Sequence, residues 1–184
     1  MLYLWILSIA FFDQLIKLYI LNNFYYGQTQ PLIKGVFHLT YIKNTGAAFG
    51  IFRNANTFFI IISILIIVFL LFYNRVYVKD NIYFNLSFGL IIGGAIGNLI
   101  DRIRLNYVVD YLDFRIWPVF NLADIAIVVG AVLLIIYILF DDFIYTSLLN
   151  SSSSPPIISG VSIVKNLLFS TLISSNLNIF AISA

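Results

Sequence analysis

The sequence predicts an all-α membrane protein of four transmembrane helices. Of its 184 residues, 61% are hydrophobic and 10% charged, at a mean hydropathy of +1.00, which no ordinary soluble domain matches. Four apolar runs, 1–21, 57–73, 82–100 and a last one after Pro118 to about Phe140, suit spans of roughly 20 residues. The polar side chains in and beside these runs gather at one end of each. Because successive spans alternate direction, the end of the first, the start of the second, the end of the third and the start of the fourth share one membrane face.

Composition removes most chemistries. There is no Cys, so disulfides, thiol nucleophiles and thiolate metal sites are excluded together. A single histidine, His38, excludes a multi-His zinc site and a HExxH helix. All 8 acids are Asp, and neither a metal nor a cofactor is expected. A net charge of +2, scattered along the chain, gives no footprint for nucleic acid. The bilayer is the expected environment.

The first span is interrupted only by Asp13, Gln14 and Lys17. It lacks the basic start and unbroken apolar run of a signal peptide. Asp13 and Lys17 lie four apart on one helix face and can pair. Residues 22–56 break the helical pattern, with aromatic and β-branched residues alternating with polar ones around Gly27, Pro31 and Gly35. Short strands outside the hydrocarbon are predicted there, one over 36–42 carrying His38 as a surface or interface residue. The small-residue run from Asn44 through Gly46 to Gly50 lets backbone approach another group closely. The second span is uncharged. In the third, Gly89, Gly93 and Gly97 recur every four residues, lining one face for close helix packing. Asn98, Asp101 and Arg102 follow on the exit turn. The fourth span is expected to start after Pro118, with Asn121 and Asp124 one turn apart on one face.

A charged side chain at the bilayer centre costs about 3 kcal/mol on insertion scales, so clustered acids in such a chain mark a functional site. Asp13, Lys17, Asn44, Asn98, Asp101, Arg102, Asp110, Asn121 and Asp124 all fall on the shared face. A Ser–His–Asp triad lacks a serine near this cluster. What remains is a pair of aspartates holding one proton, the ionised member activating water and the protonated member serving the carbonyl oxygen. Asp110 and Asp124 suit that pair, one in a connector and the other in the helix it feeds, with a proline between them to permit a fold-back. Spacing alone does not settle the choice. Asp101 is expected to pair with Arg102 or another neighbour, and Asp113, beside Phe114 and Arg115, to be an exposed connector acid. A small proton- or ion-coupled transporter is the alternative, although transport sites favour mid-bilayer broken helices.

The runs FFDQLIK (11–17), NTGAAFGIF (44–52), GGAIGNLIDR (93–102), VVDYLDF (108–114) and FNLAD (120–124) resemble, in order, the motif set of bacterial lipoprotein signal peptidase, signal peptidase II. The resemblance spans Met1 to about Phe140. It implies an aspartic membrane endopeptidase that removes the signal peptide from diacylglyceryl-modified prolipoproteins just before the lipidated cysteine, with Asp110 and Asp124 as catalytic dyad. It also implies that Asp13, Lys17, Asn44, Gly46, Asn98, Asp101, Arg102 and Asn121 hold the dyad and substrate. The implied fold is four transmembrane helices with a small extracytoplasmic β-cradle between the first two and a short interfacial helix between the last two. The implied setting is the bacterial cytoplasmic (inner) membrane, as a monomer among membrane lipids, with the site near the extracytoplasmic face. Tyr111 stands where the family more often has Phe.

Two features stand apart from that resemblance. Residues 1–140 are the expected peptidase domain. Residues 141–184 form a low-complexity linker (NSSSSPP, 150–156) and a tail with helical apolar periodicity that fits an interfacial amphipathic helix. The face shared by the polar residues carries Lys34, Lys43, Arg53, Arg102, Arg104 and Arg115, against Arg75 and Lys79 on the other. The positive-inside tendency alone would therefore place the catalytic face inward.

Overall fold

A computed structural model describes residues 1–46, 55–77 and 81–149. The elements run α1 (Leu2–Asn23), β1 (Thr29–Ile33), β2 (Phe37–Asn44), α2 (Asn56–Tyr77), α3 (Ile82–Leu105), β3 (Val108–Asp113) and α4 (Leu122–Leu149). All four helices are long and apolar enough to cross a membrane. The expected tail helix beyond residue 149, most of the small-residue run after Gly46, and Arg53 and Lys79 lie outside the described residues.

Helix α3 is the hub, packing against α1, α2 and α4. Over half of its apolar window, 56%, is buried, whereas α2 is largely exposed and gives the core cluster Ile67 as its buried residue. Small residues allow this closeness. A Cβ on Gly93 would stand 2.9 Å from Ile6 O, and one on Gly97 would strike the Asp13 carboxylate, both on α1. Gly94 faces the backbone of Ala123 on α4. The glycine face expected against a neighbouring helix is thus the α1 contact.

Two apolar clusters bracket the polar residues. Leu2, Ile6, Phe84, Phe88 and Ile92 fill one end of the bundle, where Phe84 and Phe88 stack with centroids 4.5 Å apart. Ile20, Phe24, Tyr41, Val109 and Tyr111 fill the other, between α1 and the sheet. Along α1, Asp13 and Lys17 therefore lie between two dry regions, both nearly fully buried.

The sheet has three antiparallel strands in the order β1-β2-β3. Short strands are present between the first spans as expected, two in number, with Gly35 at a φ of +79° in the turn joining them. The third is not a connector but a strand: Val108–Asp113 pairs with β2, Ile42 opposite Asp110 and Asn44 opposite Val108. Residues 106–121 hold this strand and bends in place of the short helix implied by the resemblance. β3 is buried on nearly every residue, so it shows no alternation of polar and apolar positions that would mark it as a strand. Its partner lies far back in the chain.

Other expectations also give way. Helix α4 begins after Pro118, but only at Leu122, because Asn121 accepts the Asp124 N–H at 2.9 Å through its side chain and caps the helix there. Its backbone stays helical past Phe140 to Leu149. His38 is not a surface residue: it is only 8% exposed, and neither ring nitrogen has a hydrogen-bond partner among the described residues. Asp113 is not exposed either. It is buried, accepting from Thr40 Oγ1 at 2.6 Å and from the Arg115 N–H at 2.9 Å.

Candidate active site

Three segments deliver the polar residues. β2 and β3 run side by side, so Asn44 reaches Asp110, donating from Nδ2 to Oδ2 at 2.9 Å. The loop after β3 is closed by a bridge between Leu112 and Phe120, which returns the chain to its starting point within a few residues of Asp110. Asn121 follows at once. Its Nδ2 donates to Asp110 Oδ1 at 2.7 Å, and its backbone N–H donates to Asp124 Oδ2 at 3.2 Å. One residue thus touches both candidate acids. Asn98, from the third span, donates its Nδ2 to Asp124 Oδ1 at 2.8 Å and accepts from Asn121 Nδ2 at 3.1 Å.

Beneath this lies an ion cluster. Lys17 Nζ is 2.8 Å from Asp13 Oδ2, 3.0 Å from Asp101 Oδ2 and 2.9 Å from Asn98 Oδ1, so all three of its protons are used. Asp13 Oδ1 accepts the backbone N–H of Ala123 at 3.0 Å, and Asp101 Oδ2 accepts that of Val109 at 2.9 Å. Asp13 therefore fixes the first turn of α4, and Asp101 fixes β3 one residue before Asp110. A buried ion pair is weak support for stability by itself, but removal of one partner leaves a costly bare charge. Asp101 thus pairs with Lys17, not with adjacent Arg102.

The expected site residues come together with two qualifications. Gly46 contributes its backbone, whose N–H donates to Asn44 Oδ1 at 3.0 Å and turns the Asn44 amide toward Asp110. Arg102 lies over the Phe59 ring at 5.0 Å, and its carbonyl accepts from Asn56 Nδ2 at 3.1 Å, tying α2 to α3. Among the described residues Arg102 makes no ion pair, although Asp124 and Asp110 lie within reach of its charge. No site role was expected of Gln14, which donates to Asp101 Oδ1 at 2.9 Å, or of Tyr111, whose hydroxyl accepts the Leu122 N–H at 3.2 Å. A polar residue inside an apolar span was the available signal for Gln14. For Tyr111 it was the hydroxyl it carries where the family more often has Phe.

The electrostatics separate the acids. Burial, and next the negative charge of Asp124, push the Asp110 carboxyl from 3.8 up to about 7, against the pull of the Asn44 and Asn121 amides. Asp113 goes the other way. Burial alone would raise it, but the Thr40 hydroxyl, the Arg115 N–H and the Arg115 guanidinium outweigh that and hold it below 3.8. Two carboxyl groups sharing Asn121, one resisting ionisation beside the other, can carry a single proton between them.

A family model described as signal peptidase (SPase) II matches residues 5–140. The chain belongs to the signal peptidase II family. Lipoprotein signal peptidases of that kind include one from Halothermothrix orenii, 53% identical over 138 residues, covering 75% of this chain and 94% of the relative. One from Clostridioides difficile is 54% identical over 130 residues, covering 70% and 87%. A solved bacterial membrane enzyme superposes with a TM-score of 0.74 at 32% identity over 85% of this chain and 94% of its own. The family membership and the four spans identify the chain as a multi-pass bacterial membrane peptidase.

Proposed function

We propose that Asp110 and Asp124 form the catalytic dyad with which this chain cleaves the signal peptide from prolipoproteins. Prolipoprotein processing follows from the family, and the relatives give the transporter alternative no support. The observation supporting the dyad is Asn121, which bonds both carboxyl groups at once. The ionised carboxylate takes a proton from water while the protonated one donates to the scissile carbonyl oxygen, giving a tetrahedral diol. The proton then held by the first acid passes to the leaving amine as the C–N bond breaks, and the diol returns its proton to the second acid. The pair ends with the one proton it began with.

Each carboxyl oxygen of the pair accepts an amide N–H. These donors orient the acids; Asp110 is buried and Asp124 only half-buried, so water and substrate approach from the Asp124 side. The substrate follows as a peptide whose lipidated cysteine lies just after the cut, its acyl chains arriving laterally through the bilayer. Monomeric action, and a site near the extracytoplasmic face, complete the proposal. The cations on that face support it against the charge bias: Arg115 lies 3.4 Å from Asp113, Arg102 covers Phe59, Lys43 stands 5.1 Å from the Tyr107 ring centre and Arg104 donates to Gln14 Oε1 at 3.5 Å, so most of those among the described residues are engaged by the protein. The cysteine-free sequence suits labelling at Lys43→Cys and Arg75→Cys from outside; labelling at position 75 alone would invert the topology.

The chemical test is the assay of Asp110→Asn and Asp124→Asn on a lipidated precursor peptide. Each substitution is expected to cost at least about 10²–10⁴-fold in kcat. Full activity in either variant ends the dyad model.

A further inference from the structure

We infer that Gln14 is a positioning residue whose single amide holds both halves of the dyad in place. The inference rests on Asp110 and Asp124 being that dyad. Gln14 Nε2 donates to Asp101 Oδ1 at 2.9 Å and to Gly97 O at 3.0 Å, with Asp13 Oδ2 farther off at 3.4 Å. Each of the two close acceptors stands one step from a dyad support. Asp101 holds the N–H of Val109, the residue before Asp110. Gly97 precedes Asn98, whose amide holds Asp124.

The amide is matched to this place. An amide nitrogen carries two N–H groups, and two acceptors face it at good distance. Its oxygen points the other way, toward Arg104 Nη1 at 3.5 Å, so the nitrogen faces inward. Lys17 and the Val109 N–H both bind Asp101 at Oδ2, leaving Oδ1 to Gln14. Among the described residues, loss of Gln14 leaves the Asp101 carboxylate held at Oδ2 alone, which loosens its orientation about the Cβ–Cγ bond. That motion passes to Val109 N and so to the height of Asp110 in β3. Misplacement of a reacting group by about 1 Å costs on the order of 10²-fold in rate.

The test compares the wild type with Gln14→Met and Gln14→Glu, measuring kcat and KM on a lipidated precursor from about pH 4 to pH 8, with Asp110→Asn alongside. Gln14→Met keeps the length and loses the donor; kcat is expected to fall roughly 10–100-fold with KM within about threefold. Gln14→Glu supplies an O–H donor to Asp101 only while its carboxyl is protonated. Its activity is therefore expected to approach the wild type at the acid end and to fall on the alkaline side before the wild type does. A structural role alone would not produce that divergence. Wild-type kcat in Gln14→Met, or the same pH profile for Gln14→Glu as for the wild type, overturns the inference. Should Gln14→Met not accumulate as folded protein, the ratio of Gln14→Glu activities at the two pH ends still decides. An active Asp110→Asn protein removes the dyad, and with it the basis of the inference, independently of either Gln14 variant.

Discussion

Lys17 Nζ donates to Asn98 Oδ1 at 2.9 Å, and this contact decides which way the Asn98 amide faces. With its oxygen committed to Lys17 and Asn121, Asn98 can only turn its nitrogen to Asp124. A cation from the first span thereby orients a donor to an acid in the fourth.

Lys17→Met is accordingly expected to damage both stability and activity. It strands Asp13 and Asp101, each no more than 2% exposed, as unpaired carboxylates, and loss of one partner in such a cluster costs about 3–5 kcal/mol. Denaturant unfolding in detergent micelles would measure the loss. A variant as stable as the wild type would mean that the cluster ionises differently from the geometry described.

The proposed dyad predicts a bell-shaped dependence of kcat/KM on pH. The reaction needs one proton on the pair, so activity falls at low pH as the ionised member is neutralised. It falls again at high pH as the pair loses its last proton, and with Asp110 at about 7 this alkaline limb lies near neutrality. A profile flat across pH 7 would contradict it.

Asp113→Asn separates structure from chemistry. The Asp113 carboxyl is held below 3.8 in the folded chain, so it contributes stability above that value, lost as pH falls through its lower folded pKa. The variant is expected to show a smaller loss of stability in acid than the wild type and to keep both limbs of the pH–rate profile. Thermal unfolding across the acid range, beside the assay, checks both halves.

Gly97→Ala is expected to be severe, because the added methyl would meet Asp13 carboxylate oxygen on α1, forcing apart the helices that carry Lys17 and Asn98. Gly27→Ala provides the contrast. Its added Cβ meets nothing within 4 Å, and the cost is the left-handed backbone alone, at φ +83°, on the order of 1 kcal/mol. Comparable unfolding midpoints and comparable activity for the two would refute the close-packing account.

Much of this was legible beforehand from particular residues. The glycines at 89, 93 and 97 announced a helix contact through their spacing, and the Asp13–Lys17 pair through its own; both are local periodicities. Asp113 and His38 were misplaced because burial within a sheet depends on what lies across the strand, and their cross-strand relationship is created only when β3 docks on the central β2. Pro118 suggested a helix start, but the reciprocal bonds between Asn121 and Asp124 set it later.

The sequence by itself determined the membrane setting, the four spans, the shared face of the polar residues and, by eliminating other nucleophiles and metal ligands, an aspartate chemistry. Those follow from hydrophobic length, helical period and composition, which are properties of neighbouring residues. Only the tertiary structure decided that Asp101 answers to Lys17, that 108–113 is a strand, and that Asn121 joins the two acids. Such bonds connect residues as far apart as Lys17 and Asn98, 81 positions in the chain. Their geometry exists only after the glycine face of α3 has brought the helices into contact.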